Sequence, residues 1–388
     1  MKMMNKNKLF EQFKQIPDYR KHTHKIVYPL EEILFMTLCA LLQGRVDYDD
    51  IHYWMKTNAN GKFFKRLFGK RKVRVPSYSH LHHMIVNIDN NSLELIFREF
   101  FKKYSSYENL AVDGKWLNGS DISGQYTQEP HKAILNILDK DKKIVVGHKL
   151  LEKDKKSEIP AMATLLKDKE FYKKGQIFSF DALLTQIEIL NLINNQNSYY
   201  ISKLKANQKL LKEKVELTAS NFNKPTYSYT SPLFGTENNI YVKRVVEVFQ
   251  DRSCSVVMHH SEFKNIQSII KITKETVNKK TGAIKTKVEY LIANFKTNAK
   301  EFHDKILQHW SVETYHFHLD TLTMEDSHIA FVNPFSISIL RSFTINLYQL
   351  FLNANKGTKL DVRDITMARI KKTAFYDLEF MLDLFETK

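Results

Sequence analysis

The spacing of apolar residues changes several times along this chain and separates regions of different structure. Residues 1–107 show helical spacing and predict an all-helical N-terminal domain. Residues 108–211 alternate short apolar runs with helical patterns, which is typical of a mixed α/β sheet covered by helices. Strand-like runs over 212–296 predict a β-rich insertion. Helical spacing returns over 297–355, and 356–388 is predicted to be a tail with a short helix.

One predicted helix near residue 310 places charged and apolar residues on the same side. Its apolar positions are Phe302, Ile306, Trp310 and Phe317. Its polar positions on that side are His309, Glu313 and Asp320. A carboxylate on an apolar face is costly to bury unless a cation or a hydrogen-bond donor meets it. The pattern therefore predicts a partner for Glu313 elsewhere in the chain.

Two predicted strands end in an aspartate. An apolar run from Asn109 ends at Asp113, and a second run from Gln176 ends at Asp181. Side chains at strand ends project into ligand-binding crevices of such sheets. A turn explains Asp113 equally well because Gly114 follows it, whereas apolar residues follow Asp181. With Glu313, these carboxylates form a set that could hold two divalent cations for phosphoryl transfer.

The charge of the chain favours a polyanionic partner. The net charge is +16 over 388 residues, and the first 110 residues carry 19 Lys and Arg against 11 Asp and Glu. The basic residues just before a predicted helix capped by Ser77 suit DNA backbone contact, and they are Lys70, Arg71, Lys72 and Arg74. A solvated, purely structural helical domain explains the same residues.

Composition also indicates the cellular compartment of the protein. The cysteines, Cys39 and Cys254, show no paired spacing, which favours a reducing cytosol. The N-terminus lacks the apolar region of a signal peptide, and the apolar run Ile33–Leu42 is too short to span a bilayer. We expect a cytoplasmic protein without a membrane partner.

Several short motifs, taken in order, resemble one known family. They are Ile16-Pro17-Asp18-Tyr19-Arg20, Tyr28-Pro29-Leu30, Val75-Pro76-Ser77, Ala111-Val112-Asp113-Gly114-Lys115, Phe180-Asp181-Ala182, Lys205-Ala206-Asn207-Gln208 and His309-Trp310-Ser311-Val312-Glu313 with Leu319-Asp320 and Glu325-Asp326. The chain resembles the DDE transposases of bacterial insertion sequences, in the ISAs-type branch that includes the H-repeat-associated proteins. The resemblance covers most of the chain.

The resemblance implies a fold, a reaction and partners. The fold is a ribonuclease H-like mixed sheet with helices on both faces, built from 108–211 and 297–355. Asp113, Asp181 and Glu313 would hold two Mg²⁺ ions, or Mn²⁺ in their place, and catalyse DNA strand cleavage and strand transfer. The partners are double-stranded DNA (the inverted repeats of the element and a target) and a second copy of the chain, in the bacterial nucleoid.

Other residues receive less specific roles. His309 would orient Glu313 or touch a phosphate, although packing beside Trp310 explains it as well. Asp320 would support the metal site or form a salt bridge. The resemblance and strand-end positions make Lys115, Lys205 and Arg244 candidate DNA contacts, and solvated side chains are the alternative. Two other functions stay open, a nuclease without strand transfer and a catalytically silent DNA-binding remnant.

Overall fold

The computed structural model describes most of the chain, although several short ranges lie outside it. The described residues are 5–20, 26–69, 73–117, 132–151, 157–169, 171–222, 224–235, 240–259, 261–327, 333–356 and 365–387. Lys70, Arg71 and Lys72 of the predicted basic turn lie outside them. In the described ranges, no helix has the length and apolar character needed to cross a membrane.

Helices and strands follow one another largely as the pattern predicts. The N-terminal helices are α1 (Asn5–Phe13), α2 (Leu30–Leu42), α3 (Tyr48–Asn58), α4 (Lys62–Leu67), α5 (Tyr78–Val86) and α6 (Asn90–Phe101). Next come β1 (Asn109–Trp116), β2 (Ala133–Asp139), β3 (Ile144–Leu151), α7 (Glu158–Lys167), β4 (Ile177–Phe180), α8 (Ile187–Asn195), β5 (Tyr199–Leu204) and α9 (Lys209–Asn221). Ser77 caps α5 as predicted, because its hydroxyl accepts a hydrogen bond from the His80 amide at 3.3 Å.

The later part of the chain adds long strands and then helices. The strands and the helix among them are β6 (Tyr227–Thr230), β7 (Phe234–Gly235), β8 (Ile240–Gln250), α10 (Arg252–His259), β9 (Ser268–Asn278) and β10 (Ile284–Ala293). The last helices are α11 (Ala299–His309), α12 (Ser311–Leu322), α13 (Pro334–Ala354), α14 (Met367–Tyr376) and α15 (Leu378–Asp383). The 212–296 segment is thus rich in strands, but it also contains most of α9 and all of α10.

The chain forms two compact units, and each unit joins segments that are distant in sequence. The helical unit comprises Met1–Ser106, Gly114–Lys155 and Val312–Lys388. The sheet unit comprises Tyr107–Asp113 and Lys156–Ser311. The five-segment division drawn from the sequence stays a prediction about domains, whereas these units describe compactness.

The helical unit is built around α13. This helix is buried along most of its length and packs against α2, α6, α14 and β3. The Asn346 side chain accepts a hydrogen bond from the Val145 amide at 2.9 Å and donates one to the Val145 carbonyl at 2.8 Å. A helix side chain thereby satisfies the backbone of β3, which pairs with β2 in an antiparallel hairpin.

The sheet unit contains a mixed sheet. β1, β4 and β5 pair in parallel, and β10, β9, β8 and β6 continue the sheet in antiparallel order. The short β7 also pairs with β8. Helices cover both faces of the sheet. The predicted α/β class is therefore confirmed.

Helix α11 packs against the sheet through a buried apolar cluster. Phe302 and Ala299 of α11 contact side chains from alternate positions of β5, β8, β9 and β10, with Ile306 at the edge. Ile201 of β5 belongs to this cluster, so α11 covers the face of the sheet to which Ile201 points. This face is the one that matters for the candidate site.

The predicted single helix through residue 310 is wrong. α11 ends at His309 and α12 begins at Ser311, which resets the helical phase. As a result Trp310 is 46% exposed and Phe317 is 60% exposed, whereas Val312, Tyr315 and Leu319 form the buried side of α12. Trp310 and Phe317 therefore do not form the apolar face that the continuous pattern predicted.

We expect Phe302→Ala to lower the free energy of unfolding by about 3–5 kcal/mol, because it opens a cavity in a fully buried cluster. Phe317→Ala should change it by less than about 0.5 kcal/mol, since that ring is mostly exposed. Urea denaturation followed by circular dichroism measures both. Equal losses in the two variants would contradict the assignment of the buried helix faces.

Candidate active site

Asp113 and Asp181 occupy equivalent positions on neighbouring parallel strands. Val112 of β1 pairs with Phe180 of β4, and each aspartate is the next residue along the chain. Asp181 keeps an extended backbone, and its side chain makes no cap hydrogen bond to the turn that follows. Adjacent strands lie about 4.8 Å apart, so two carboxylates start from neighbouring backbone positions. Asp181 directly follows the end of β4, as predicted. The prediction that a strand ends at Asp113 is wrong, and so is the alternative of a turn there, because β1 continues through Gly114 to Trp116.

The carboxylates share the face of the sheet that α11 covers. Ser179 lies two residues before Asp181, so their side chains point to the same face. The Ser179 hydroxyl lies 3.1 Å from Nδ1 of His309, the last residue of α11. The C-terminal end of α11 is therefore fixed beside the strand that leads to Asp181. His309 contacts a strand side chain here, which neither sequence interpretation of it included.

The turn after Asp181 is held by the Lys205–Gln208 motif. The buried Gln208 amide donates to the carbonyl oxygens of Ala182 at 2.9 Å and Thr185 at 2.8 Å. Asn207 donates to the same Ala182 carbonyl at 2.7 Å. The Ala182 carbonyl also accepts from the Thr185 amide at 3.1 Å, whereas the Thr185 carbonyl depends on Gln208 for its side-chain donor. These bonds stabilise the backbone that follows Asp181.

Lysines surround Asp181 in the sheet unit. Lys205 places its Nζ 2.6 Å from an Asp181 carboxylate oxygen, in a pair that is about half exposed. Lys203 follows Ser202, the residue that pairs with Phe180, and therefore lies in register with Asp181. Its Nζ is 2.9 Å from Glu289 of β10 and 5.9 Å from the ring centre of Trp310.

Glu289 forms ion pairs with Lys203 and Lys287. Burial alone would raise the pKa of this carboxyl, but hydrogen bonds from Lys287 and Lys203 bring the pKa below its usual value. Glu289 is therefore ionised near neutral pH and holds two ammonium groups beside the strand ends. The result is a row of fixed positive charges on the same face as the two aspartates, which suits a phosphate backbone.

Glu313 belongs to the helical unit. It lies in the first turn of α12, on the exposed side of that helix. It follows Ser311, the last residue of the sheet unit, by two residues. In sequence, Glu313 therefore follows closely after α11, whose last residue, His309, contacts Ser179 of β4.

Lys115 and Asp320 meet each other inside the helical unit. Lys115 is 6% exposed, and its Nζ lies 2.7 Å from Asp320 and 2.8 Å from Asp326. The third carboxylate, Glu325, is 3.8 Å away. For Asp320 the salt-bridge alternative is the one present. The buried Lys115 faces acidic partners, so we interpret it as an ion-pair residue instead of a DNA contact.

The remaining basic candidates differ in accessibility. Arg74 is exposed at the start of the segment that leads into α5. Arg244 of β8 is half-buried, and burial lowers the pKa of its guanidinium. Only Arg74 of these two presents an exposed side chain to solvent.

The two aspartates fit a hard divalent cation. Asp113 and Asp181 supply carboxylate oxygens, the ligands that Mg²⁺ prefers. Among the residues that the structure describes, no group of three or more His, Cys, Asp or Glu side chains forms a cluster that could hold a metal ion. The two aspartates thus form a partial ligand set.

Sequence reasoning missed Lys203, Glu289 and Ser179. Lys203 carries a weak signal, since it stands two positions before Lys205 on the same predicted strand. Glu289 gives no local signal, because only the pairing of β10 with β5 brings it to this site. The hydroxyl of Ser179 looks like any strand serine until its contact with α11 is known.

Comparison with known proteins gives a consistent family. A model described as DDE_Tnp_1-associated matches residues 10–101. The chain is 25% identical over 332 residues to the "H repeat-associated putative transposase YhhI" of Escherichia coli K12, covering 83% of this chain and 85% of that protein. It is 24% identical over 334 residues to the "Putative transposase YncI" of Escherichia coli O157:H7, covering 84% and 82%.

A solved structure is also similar. The piggyBac transposase, in a synaptic complex with hairpin DNA, aligns with a TM-score of 0.43 and 12% identity over 98% of this chain and 82% of that chain. The sequence relatives confirm the resemblance drawn from the motifs, including the associated N-terminal domain.

We expect Gln208→Ala to cost about 1–3 kcal/mol of stability, because it leaves the buried Thr185 carbonyl without its donor. Lys205→Met should cost no more than about 1 kcal/mol, since it removes a largely exposed ion pair. Urea denaturation measures both. A larger loss for the lysine variant would show that charge, not the amide, holds this turn.

Proposed function

We infer from the chain's kinship with DDE transposases of the H-repeat type that it cleaves DNA strands at the ends of an insertion sequence and transfers them to target DNA. The observation that carries the proposal is the equivalent placement of Asp113 and Asp181 on parallel neighbours β1 and β4. The parallel β1–β4–β5 arrangement beside antiparallel strands also supports a ribonuclease H-like core.

In this proposal Asp113, Asp181 and Glu313 hold two Mg²⁺ ions, or Mn²⁺ ions in their place. When bound, the ions would activate the attacking oxygen and stabilise the leaving oxygen of an in-line phosphoryl transfer. The short separation in sequence supports the third assignment, because Glu313 follows His309 by four residues and His309 contacts Ser179. His309 then acts as a structural tie between α11 and β4.

The lysines have separate roles. Lys205 compensates the charge of Asp181 in the absence of metal, and it would turn to a DNA phosphate when cations occupy the carboxylates. Lys203 and Lys287, held by Glu289, present positive charge along the same strands. Such fixed charges lower the cost of bringing a second polyanion to an acidic site.

The N-terminal domain would supply further DNA contacts. The associated-domain model covers it, and the basic residues Lys70, Arg71, Lys72 and Arg74 precede α5. The amide groups at the start of that helix favour an anion, which adds to the attraction of the side chains. Two element ends are handled together in transposition, so we propose a homodimer on double-stranded DNA.

We predict that Asp113→Asn lowers Mg²⁺-dependent cleavage at least a thousandfold while DNA affinity stays within about threefold, because one ligand becomes a poor donor. Gel assays on a fragment carrying the flanking inverted repeats measure cleavage and binding. Asp251→Asn, at a 70% exposed position, is the control. Retained cleavage in the Asp113 variant would contradict the site assignment.

The same assay separates the other functions. Addition of a target plasmid distinguishes strand transfer from cleavage alone, which a nuclease would give. EDTA should abolish both reactions, and Mg²⁺ or Mn²⁺ should restore them. A wild-type chain that binds the repeats but cleaves nothing under these conditions would be the DNA-binding remnant.

We also predict that replacing Lys70, Arg71, Lys72 and Arg74 with glutamine weakens DNA binding about equally for different sequences. Each lost phosphate contact should reduce the slope of log affinity against log salt by about 0.9. Fluorescence anisotropy between 50 and 200 mM salt, roughly, measures the slope. Glutamine at the exposed Lys14 and Lys102 is the control. An unchanged slope would remove this segment from the DNA contact.

A further inference from the structure

A buried lysine joins the strand of one proposed catalytic acid to the helix of another. Lys115 lies on β1, two residues after Asp113, and Asp320 lies on α12, seven residues after Glu313. Their side chains form an ion pair of 2.7 Å inside the helical unit. Burial alone would lower the pKa of Lys115, but the facing carboxylates raise it overall. The Lys115 ammonium therefore keeps its positive charge near neutral pH.

The spacing of these residues along β1 and α12 shows which sides of the two elements the ion pair joins. Residues two apart on a strand point to the same face, so Lys115 continues the side of β1 that carries Asp113. Residues seven apart on a helix lie about two turns apart on nearly the same side, so Asp320 marks the side of α12 that carries Glu313. The ion pair therefore connects matching sides of the two elements.

We propose that Lys115 and Asp320 are positioning residues, which fix the rotation and the axial position of α12 against β1 and thereby direct Glu313 toward the metal site. This inference rests on the proposed function for the role of Glu313. A buried ion pair adds little net stability compared with apolar packing, but its short range makes one register of two elements more favourable than others.

A second contact holds α12 at another turn. The hydroxyl of Tyr315 lies 2.5 Å from the hydroxyl of Ser342 on α13, and both groups are buried. Ser342 is in turn 2.9 Å from Nε2 of His148, whose ring lies 2.7 Å from Glu94. Two polar contacts about a turn and a half apart leave α12 little freedom to rotate.

The chain provides a matched control for the Asp320 contact. Asp326 lies 2.8 Å from the same Lys115 ammonium and is 33% exposed, compared with 31% for Asp320. Asp326 follows the end of α12, however, whereas Asp320 is part of the helix. Removing either charge should disturb Lys115 similarly, and only the loss at Asp320 should release α12.

The test compares Asp320→Asn with Asp326→Asn in the full chain. Binding of Mn²⁺ without DNA is measured by titration calorimetry, and exchange of α12 amides by hydrogen–deuterium mass spectrometry. We expect Mn²⁺ affinity to fall about tenfold in Asp320→Asn and to stay within about twofold in Asp326→Asn. Amide exchange in α12 should increase only in the former, while thermal midpoints remain similar in both variants.

A double variant decides whether Asp320 acts through Glu313. In a Glu313→Gln background, adding Asp320→Asn should cause no further loss of Mn²⁺ affinity, because the group it positions is gone. Equal effects of the two asparagine variants, or additive losses in the double variant, would overturn the inference. A wild-type chain that binds no Mn²⁺ would contradict the proposed function, and α12 exchange would then still decide whether Asp320 fixes the helix.

Discussion

The parallel pairing of β1 with β4 is the constraint on which the candidate site depends. Pairing of Val112 with Phe180 brings two aspartates, 68 positions apart in sequence, to neighbouring positions beside each other in the sheet. A shift of one residue would turn one carboxylate to the opposite face, away from α11. Such a shift would also move a carboxylate toward the buried, mostly apolar paired segments of β1 and β4, which is costly.

The break between α11 and α12 allows the two helices to pack against different partners. In α11, Phe302 packs in the sheet cluster and His309 contacts Ser179. In α12, Tyr315 contacts α13 and Asp320 pairs with Lys115. A continuous helix could not satisfy both sets, since its apolar residues would follow one phase. Glu313 lies just after this break, in the first turn of α12.

In this molecule, the pairing of individual charged side chains is more informative than the net charge. The excess of +16 suggests nucleic acid, but Lys115, Lys203 and Lys205 each face a carboxylate in the structure. Their roles differ with burial. The pair at Lys205 is about half exposed to solvent, whereas loss of the buried Lys115 would leave uncompensated carboxylates behind.

The sequence by itself determined most helices and strands and the α/β class, because apolar periodicity is a local signal. The role of the three acids stays a prediction. The sequence did not determine the helix break at Trp310, since residues 302–317 keep apparent helical spacing across it. The contacts of Glu289, Ser179 and Asp320 were decided only by tertiary structure. Each depends on a partner distant in sequence, and only strand order and helix packing bring such partners together.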